Sequence, residues 1–223
     1  MVNNFLYSTD LINSLEASLS TERLQPYLRA ANDDKTQALH LYVWNTDLSA
    51  SLYSPLQGLE VSLRNSLHRE LSNKYGNQWY DQITDFLLDR ANESINEAKD
   101  EIRKRDKEVI PPRIVAELSL GFWVSLLGQG KRGKDNYETK LWRAALYKAF
   151  PNKKLDRKTA FSRFSELKKL RNRIAHHEPI FNKVNLFDDY KNILDTTFWI
   201  CKDTALWLTE NCKFKEIFDQ RPQ

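Results

Sequence analysis

Between Asp33 and Gly76, leucines and aromatics recur at steps of three and four, through Leu48, Leu52, Leu56, Leu59, Leu63 and Leu67. That is the repeat of an α-helical face, and a run of this length leaves little room for a sheet. Pro55 predicts a kink or a split within the run, and Gly76 a stop. The same period governs the rest of the chain. A leading unit at about 8–31 restarts at Ser20, which can cap the next turn. Segment 78–107 reads as a Trp/Tyr-anchored helical turn followed by a charged helix. Helices are also predicted over 111–128, 136–149, 157–178 and 184–212, with a flexible basic loop at "QGKRGKDN". Six glycines in 223 residues are too few for a fold rich in tight β-turns. The expected fold is a compact all-α bundle, with residues 1–32 as an N-terminal helical extension and 33–223 as a single unit.

Apolar residues make up 41% of the chain, enough for a core, so disorder is not expected. The net charge is +4, a weak signal alone. Its distribution says more: "IRKRDK" (102–107), "GKRGK" (130–134), "KKLDRK" (153–158) and "KKLRNR" (168–173) are local basic clusters. Each can be an ordinary solvated face, yet four together raise the prospect of an anionic partner. The longest apolar stretch, 114–128, is too short to cross a bilayer and contains Glu117. The first ten residues lack the basic and apolar regions of a signal peptide. Two cysteines, Cys201 and Cys212, stand eleven apart in what reads as one helix, with no zinc-like Cys/His spacing. A reducing cytoplasm is the expected setting, with no metal and no cofactor. The six tryptophans fall mostly on apolar helical faces and are expected in the core rather than stacked on bases.

The segment "LKKLRNRIAHHEPIF" (167–181) holds two of the four histidines. On a wheel, Phe164, Leu167, Leu170 and Ile174 form the buried arc, and Arg171 falls at its edge, where a guanidinium needs a partner. His176 lies about 140° around from Arg171. Asn172 and His176 align, as do Arg173 and His177. Pro179 predicts that the helix ends near the histidines. The plain reading is a helix C-terminus decorated with His, which suits the dipole. Against it stands the combination of an Arg on the apolar edge, an Asn beside it and paired histidines at the end.

Arg171-Asn172-x-x-x-His176 resembles the Arg-x(4–6)-His motif of the HEPN superfamily, and "RNRIAHH" resembles its form in Abi-like abortive-infection proteins. Residues 42–71 and 116–127 also resemble helices of that group, so the likeness runs from about 33 to 181 and is expected to continue to the C-terminus. It implies a HEPN-like helical bundle with additional N-terminal helices. It also implies a metal-independent endoribonuclease that dimerises and joins two motifs in one cleft. His176 would act as base or acid, Arg171 would hold the phosphate oxygens, and Asn172 would orient the imidazole or the 2′-OH. His177, Arg173, Lys168 and Lys169 would support the site or touch RNA. The products would be a 2′,3′-cyclic phosphate and a 5′-hydroxyl. Such a protein is expected to act as a toxin or phage-defence effector, with an antitoxin protein or regulatory RNA as a further possible partner. The competing readings are a non-catalytic RNA-binding HEPN module and a helical protein–protein module.

A second set, Glu60, Arg64 and His68, forms one stripe beside Leu56, Leu59, Leu63 and Leu67. Its Arg-x(3)-His spacing departs from the HEPN pattern. It can be a self-satisfied, salt-bridged helix edge. Alternatively Glu60 or Arg64 reaches the late helix and positions Arg171, with Glu60 the first candidate for the carboxylate Arg171 needs. No Walker loop, HExxH or GxSxG occurs, which removes NTPases, zincins and α/β-hydrolases, and a dinucleotide enzyme is likewise not expected.

Overall fold

The computed structural model describes residues 5–222, apart from the Lys134 side chain. The first four residues of the segment tested above for a signal peptide lie outside the described residues. The chain is 72% helical, and no strand occurs among the described residues, so the fold is all-α. Its axis is α3, Lys35–Tyr75, a helix of 41 residues. Asp34 caps its start by accepting the Gln37 N–H at 3.0 Å, and Gly76, at φ 87°, ends it. Leu41, Trp44, Leu48, Leu52, Leu56, Leu59, Leu63, Leu67 and Leu71 are all buried. This row of side chains at three- and four-residue steps is the spine of the core.

Two short helices precede α3: α1, Thr9–Leu19, and α2, Thr21–Ala30. Ser20 is the hinge between them, and its hydroxyl accepts the Arg23 N–H. Leu24, Tyr27 and Leu28 of α2 are buried against α3 and its neighbours. After α3 come α4, Trp79–Gln82, and the amphipathic α5, Asp89–Lys104. Next are α6, Pro111–Glu117, α7, Leu120–Ser125, and α8, Arg157–Ala175. The chain closes with α9, Leu186–Ile200, α10, Lys202–Asn211, and α11, Phe214–Phe218. Helices α2, α9, α10 and α11 pack along α3, and α8 packs against α3, α7 and α9.

Four sequence expectations need correction. α3 does not split at Pro55. A proline at 55 cannot bond the carbonyl of residue 51, and the Cys212 thiol takes that place, donating to Ser51 O at 3.4 Å. Segment 111–128 is two helices because Ser119 caps a new one, accepting the Phe122 N–H at 3.3 Å. Segment 136–149 is no regular helix but a π-turn, Glu138–Trp142, and a 3₁₀ turn, Leu146–Ala149. Segment 184–212 breaks at Cys201, whose backbone is extended (φ −150°, ψ 114°). The cysteines therefore flank α10 rather than share one helix, and both are free thiols. The break turns α10 so that it meets α3 at Gly58, where a Cβ would lie 2.7 Å from a Leu208 methyl. It also leaves Trp207 60% exposed, the exception to the buried-tryptophan expectation.

Among the described residues no helix is long and apolar enough to cross a membrane.

Candidate functional site

Asp156 opens α8 by accepting the Thr159 N–H at 2.7 Å. Ala160, Phe164, Leu167, Leu170 and Ile174 bury one face of the helix. The arc read from the wheel is thus the packed face, and it fixes where the polar residues of the motif stand. Arg171 sits on its edge. The guanidinium Nε lies 3.5 Å from Glu60 Oε2 on α3, with the two side chains 40% and 22% exposed. The carboxylate that a half-buried arginine requires is therefore supplied across the α3–α8 interface.

The helix ends at Ala175 with His176 as its C-cap, whose N–H still reaches Asn172 O at 2.9 Å. His177 then enters the left-handed region at φ 57°. Its N–H bonds Ile174 O at 3.0 Å, and the Glu178 N–H bonds Arg173 O at 2.9 Å. This paired closure is a Schellman turn, in which glycine is the usual left-handed residue and histidine is an uncommon one. His176, His177 and Asn172 are exposed. Among the described residues no side-chain hydrogen bond joins Asn172 to His176, although they share a face.

The turn beyond the histidines is held by side chains from three helices. Arg23 of α2 donates to the His177 carbonyl. Arg173 of α8 donates from Nε to Pro179 O at 2.8 Å and lies 3.8 Å from Glu178. Asn45 of α3, buried, accepts the Ile180 N–H at 2.7 Å and the Phe181 N–H at 3.1 Å through Oδ1. Phe181 stacks on Tyr27 of α2, with ring centroids 4.8 Å apart. Arg173 is thus engaged in shaping the turn. Asn45 and Arg23 escaped the sequence reading. The signal for Asn45 is an amide in the apolar row between Leu41, Trp44 and Leu48, whereas Arg23 carries no local signal.

The stripe on α3 does not close on itself. Glu60 goes to Arg171, and no Glu60–Arg64 ion pair forms. Arg64 Nε is buried without a hydrogen-bond partner among the described residues. His68 turns inward, and its Nδ1 accepts the Trp79 indole N–H at 2.9 Å. Burial holds the His68 pKa below its ordinary 6.5, so the ring is a neutral structural acceptor.

The basic clusters divide in the same way. Arg103 pairs with Asp100, Lys104 with Glu101 and Arg105 with Glu117, so much of "IRKRDK" is neutralised locally. Arg157 is buried against Glu138 and donates to Leu127 O at 2.8 Å. Lys168 and Lys169 on α8 carry no ion pair among the described residues. The loop Gly128-x-Gly130-x-x-Gly133 has the letter spacing of a dinucleotide turn. It follows a helix and leads into a 3₁₀ turn, Gly133–Asp135, so the strand–turn–helix context that motif needs is missing. Among the described residues no three His, Cys, Asp or Glu side chains gather to hold a metal ion.

The arrangement therefore presents an exposed imidazole at a fixed helix end, and an arginine on the same helix steadied by a carboxylate. Such groups can hold a phosphate and move a proton. The chain is an all-α bundle built on one long central helix, with this polar corner at the end of α8. It belongs to the Abi-like protein family, whose model matches residues 12–182. Membership is consistent with a role in abortive infection. No curated protein and no solved structure matches the chain.

Proposed function

We propose that the chain is a metal-independent endoribonuclease of the HEPN type, acting in the cytoplasm as a toxin or phage-defence effector. The observation that carries this reading is the corner of α8, where Arg171, paired to Glu60 at 3.5 Å, precedes the exposed His176 by five residues. In the proposed reaction the imidazole of His176 takes the proton of a ribose 2′-OH. The 2′-oxygen attacks the adjacent phosphorus, and the 5′-oxygen leaves with a proton from an acid. Arg171 stabilises the charge on the non-bridging oxygens. Asn172 stands on the face of His176 and orients the imidazole or the attacking hydroxyl. Lys168 and Lys169, which carry no ion pair among the described residues, together with Arg64 and His177, meet the RNA backbone.

One helix directs Arg171 and His176 apart by about 140°, so a second copy of the chain is proposed to complete the cleft. In that homodimer one His176 serves as base and the other as acid. Residues 33–223 form the HEPN-like domain, with the first 32 as its extension, and an antitoxin protein or regulatory RNA restrains the activity.

Expression of the wild type against His176→Ala tests this reading. Growth arrest and RNA fragmentation with the wild type, both lost in the variant, are expected. A second reading, RNA binding without cleavage, draws on the lack, among the described residues, of a hydrogen bond from Asn172 or another side chain to the His176 imidazole. It predicts a freely tolerated wild type whose RNA affinity is unchanged by His176→Ala.

A further inference from the structure

We infer that Arg23 and Asn45 are positioning residues for His176, holding the turn that follows the imidazole, so that α2, within the N-terminal extension, contributes to the site. This rests on the reading of His176 as an acid or base.

Each of the five residues after His176 has a bound backbone group. Arg23 binds the His177 carbonyl, and Arg173 O binds the Glu178 N–H. Arg173 Nε binds the Pro179 carbonyl, and Asn45 Oδ1 binds the N–H groups of Ile180 and Phe181. Tyr27, one turn beyond Arg23, stacks on Phe181. Helices α2, α3 and α8 thus converge on a stretch whose first residues, His176, His177 and Glu178, are exposed.

Terminating a helix needs none of this. A glycine at position 177 would adopt the left-handed backbone without strain, whereas histidine resists it. An apolar residue at position 45 would suit the row formed by Leu41, Trp44 and Leu48. The buried amide instead selects one path for residues 180 and 181. Both choices disfavour a loose helix end and favour one fixed geometry. Acid–base catalysis requires such geometry, because the imidazole must stay within hydrogen-bond reach of the proton it transfers.

The test uses the full chain and a short mixed-sequence single-stranded RNA carrying a fluorophore. Arg23→Ala removes an exposed contact and spares the core. It is expected to lower kcat by about 10- to 100-fold, with KM changed by less than about twofold. Arg23→Lys keeps a donor and restores part of the rate. Asn45→Asp keeps the accepting oxygen and retains cleavage, while Asn45→Ala loses it. The NMR imidazole signals of His176 are expected to shift or broaden in Arg23→Ala. Folded Arg23→Ala and Asn45→Ala variants with wild-type kcat and unchanged His176 signals would overturn the inference. If the wild type cleaves no RNA, the nuclease reading fails separately, and the His176 signals alone decide whether the clasp exists.

Discussion

Glu60 and Arg171 meet across the α3–α8 interface, carboxylate to guanidinium, at 3.5 Å. The pair is partly solvated, so its direct contribution to stability is expected to be small, about 0–1 kcal/mol. Its consequence is geometric, because it fixes which way the arginine of the motif points. Glu60→Gln is therefore expected to leave the unfolding midpoint nearly unchanged while lowering RNA cleavage. Arg171→Lys does not restore function, since an ammonium cannot reproduce a planar, two-pronged grip on phosphate. Denaturant unfolding and cleavage rates measured on the same preparations check this. A Glu60→Gln protein that is equally stable and equally active would remove Glu60 from the site.

Tyr27 separates ring packing from hydroxyl chemistry. Its ring stacks on Phe181 and meets Tyr42 edge-on at 5.1 Å, but its hydroxyl is buried without a partner among the described residues. Burial, first, pushes its pKa up to about 12. Tyr27→Phe is expected to be neutral or slightly stabilising, because an unbonded polar group leaves the interior. Tyr27→Ala is expected to cost about 3–5 kcal/mol. Urea unfolding distinguishes the two, and a large loss in Tyr27→Phe would mean that the hydroxyl has a partner.

His68 gives the fold a pH dependence with a definite sign. Its native pKa lies below the 6.5 of the exposed ring because burial penalises the charged form. The unfolded chain therefore binds a proton at a pH where the native one does not. The contribution is fully present above pH 6.5 and is lost as pH falls toward the lower native pKa. His68→Gln can still accept from the Trp79 indole but does not titrate. Thermal unfolding of both proteins between neutral and mildly acidic pH should show a shallower decline in the variant.

Much of this molecule is legible in its sequence, because local periodicity and tertiary burial agree in α3 and α8. Phe164, Leu167, Leu170 and Ile174 stand where the wheel puts them, and the demand of a half-buried Arg171 for a carboxylate pointed to Glu60. What escaped was set by distant contacts. No glycine or proline marks the break at Cys201, and its phase change exposes Trp207. Pro55 promised an interruption, but the carbonyl it orphans is met by a thiol 161 residues on. Arg23 meets its partner 154 residues away, beyond any local pattern. Two further features had a local signal that went unread: Ser119, a cap residue within "ELSLGFW", and Asn45, an amide in an apolar row.

The most direct measurement is end-group analysis of RNA incubated with purified wild type and His176→Ala, each with and without a metal chelator. Wild-type fragments ending in 2′,3′-cyclic phosphate and 5′-hydroxyl, equally abundant with chelator, are expected. None is expected from His176→Ala, although that protein remains folded. Fragments from the variant at the wild-type rate, or wild-type cleavage abolished by the chelator, would contradict the proposed reaction.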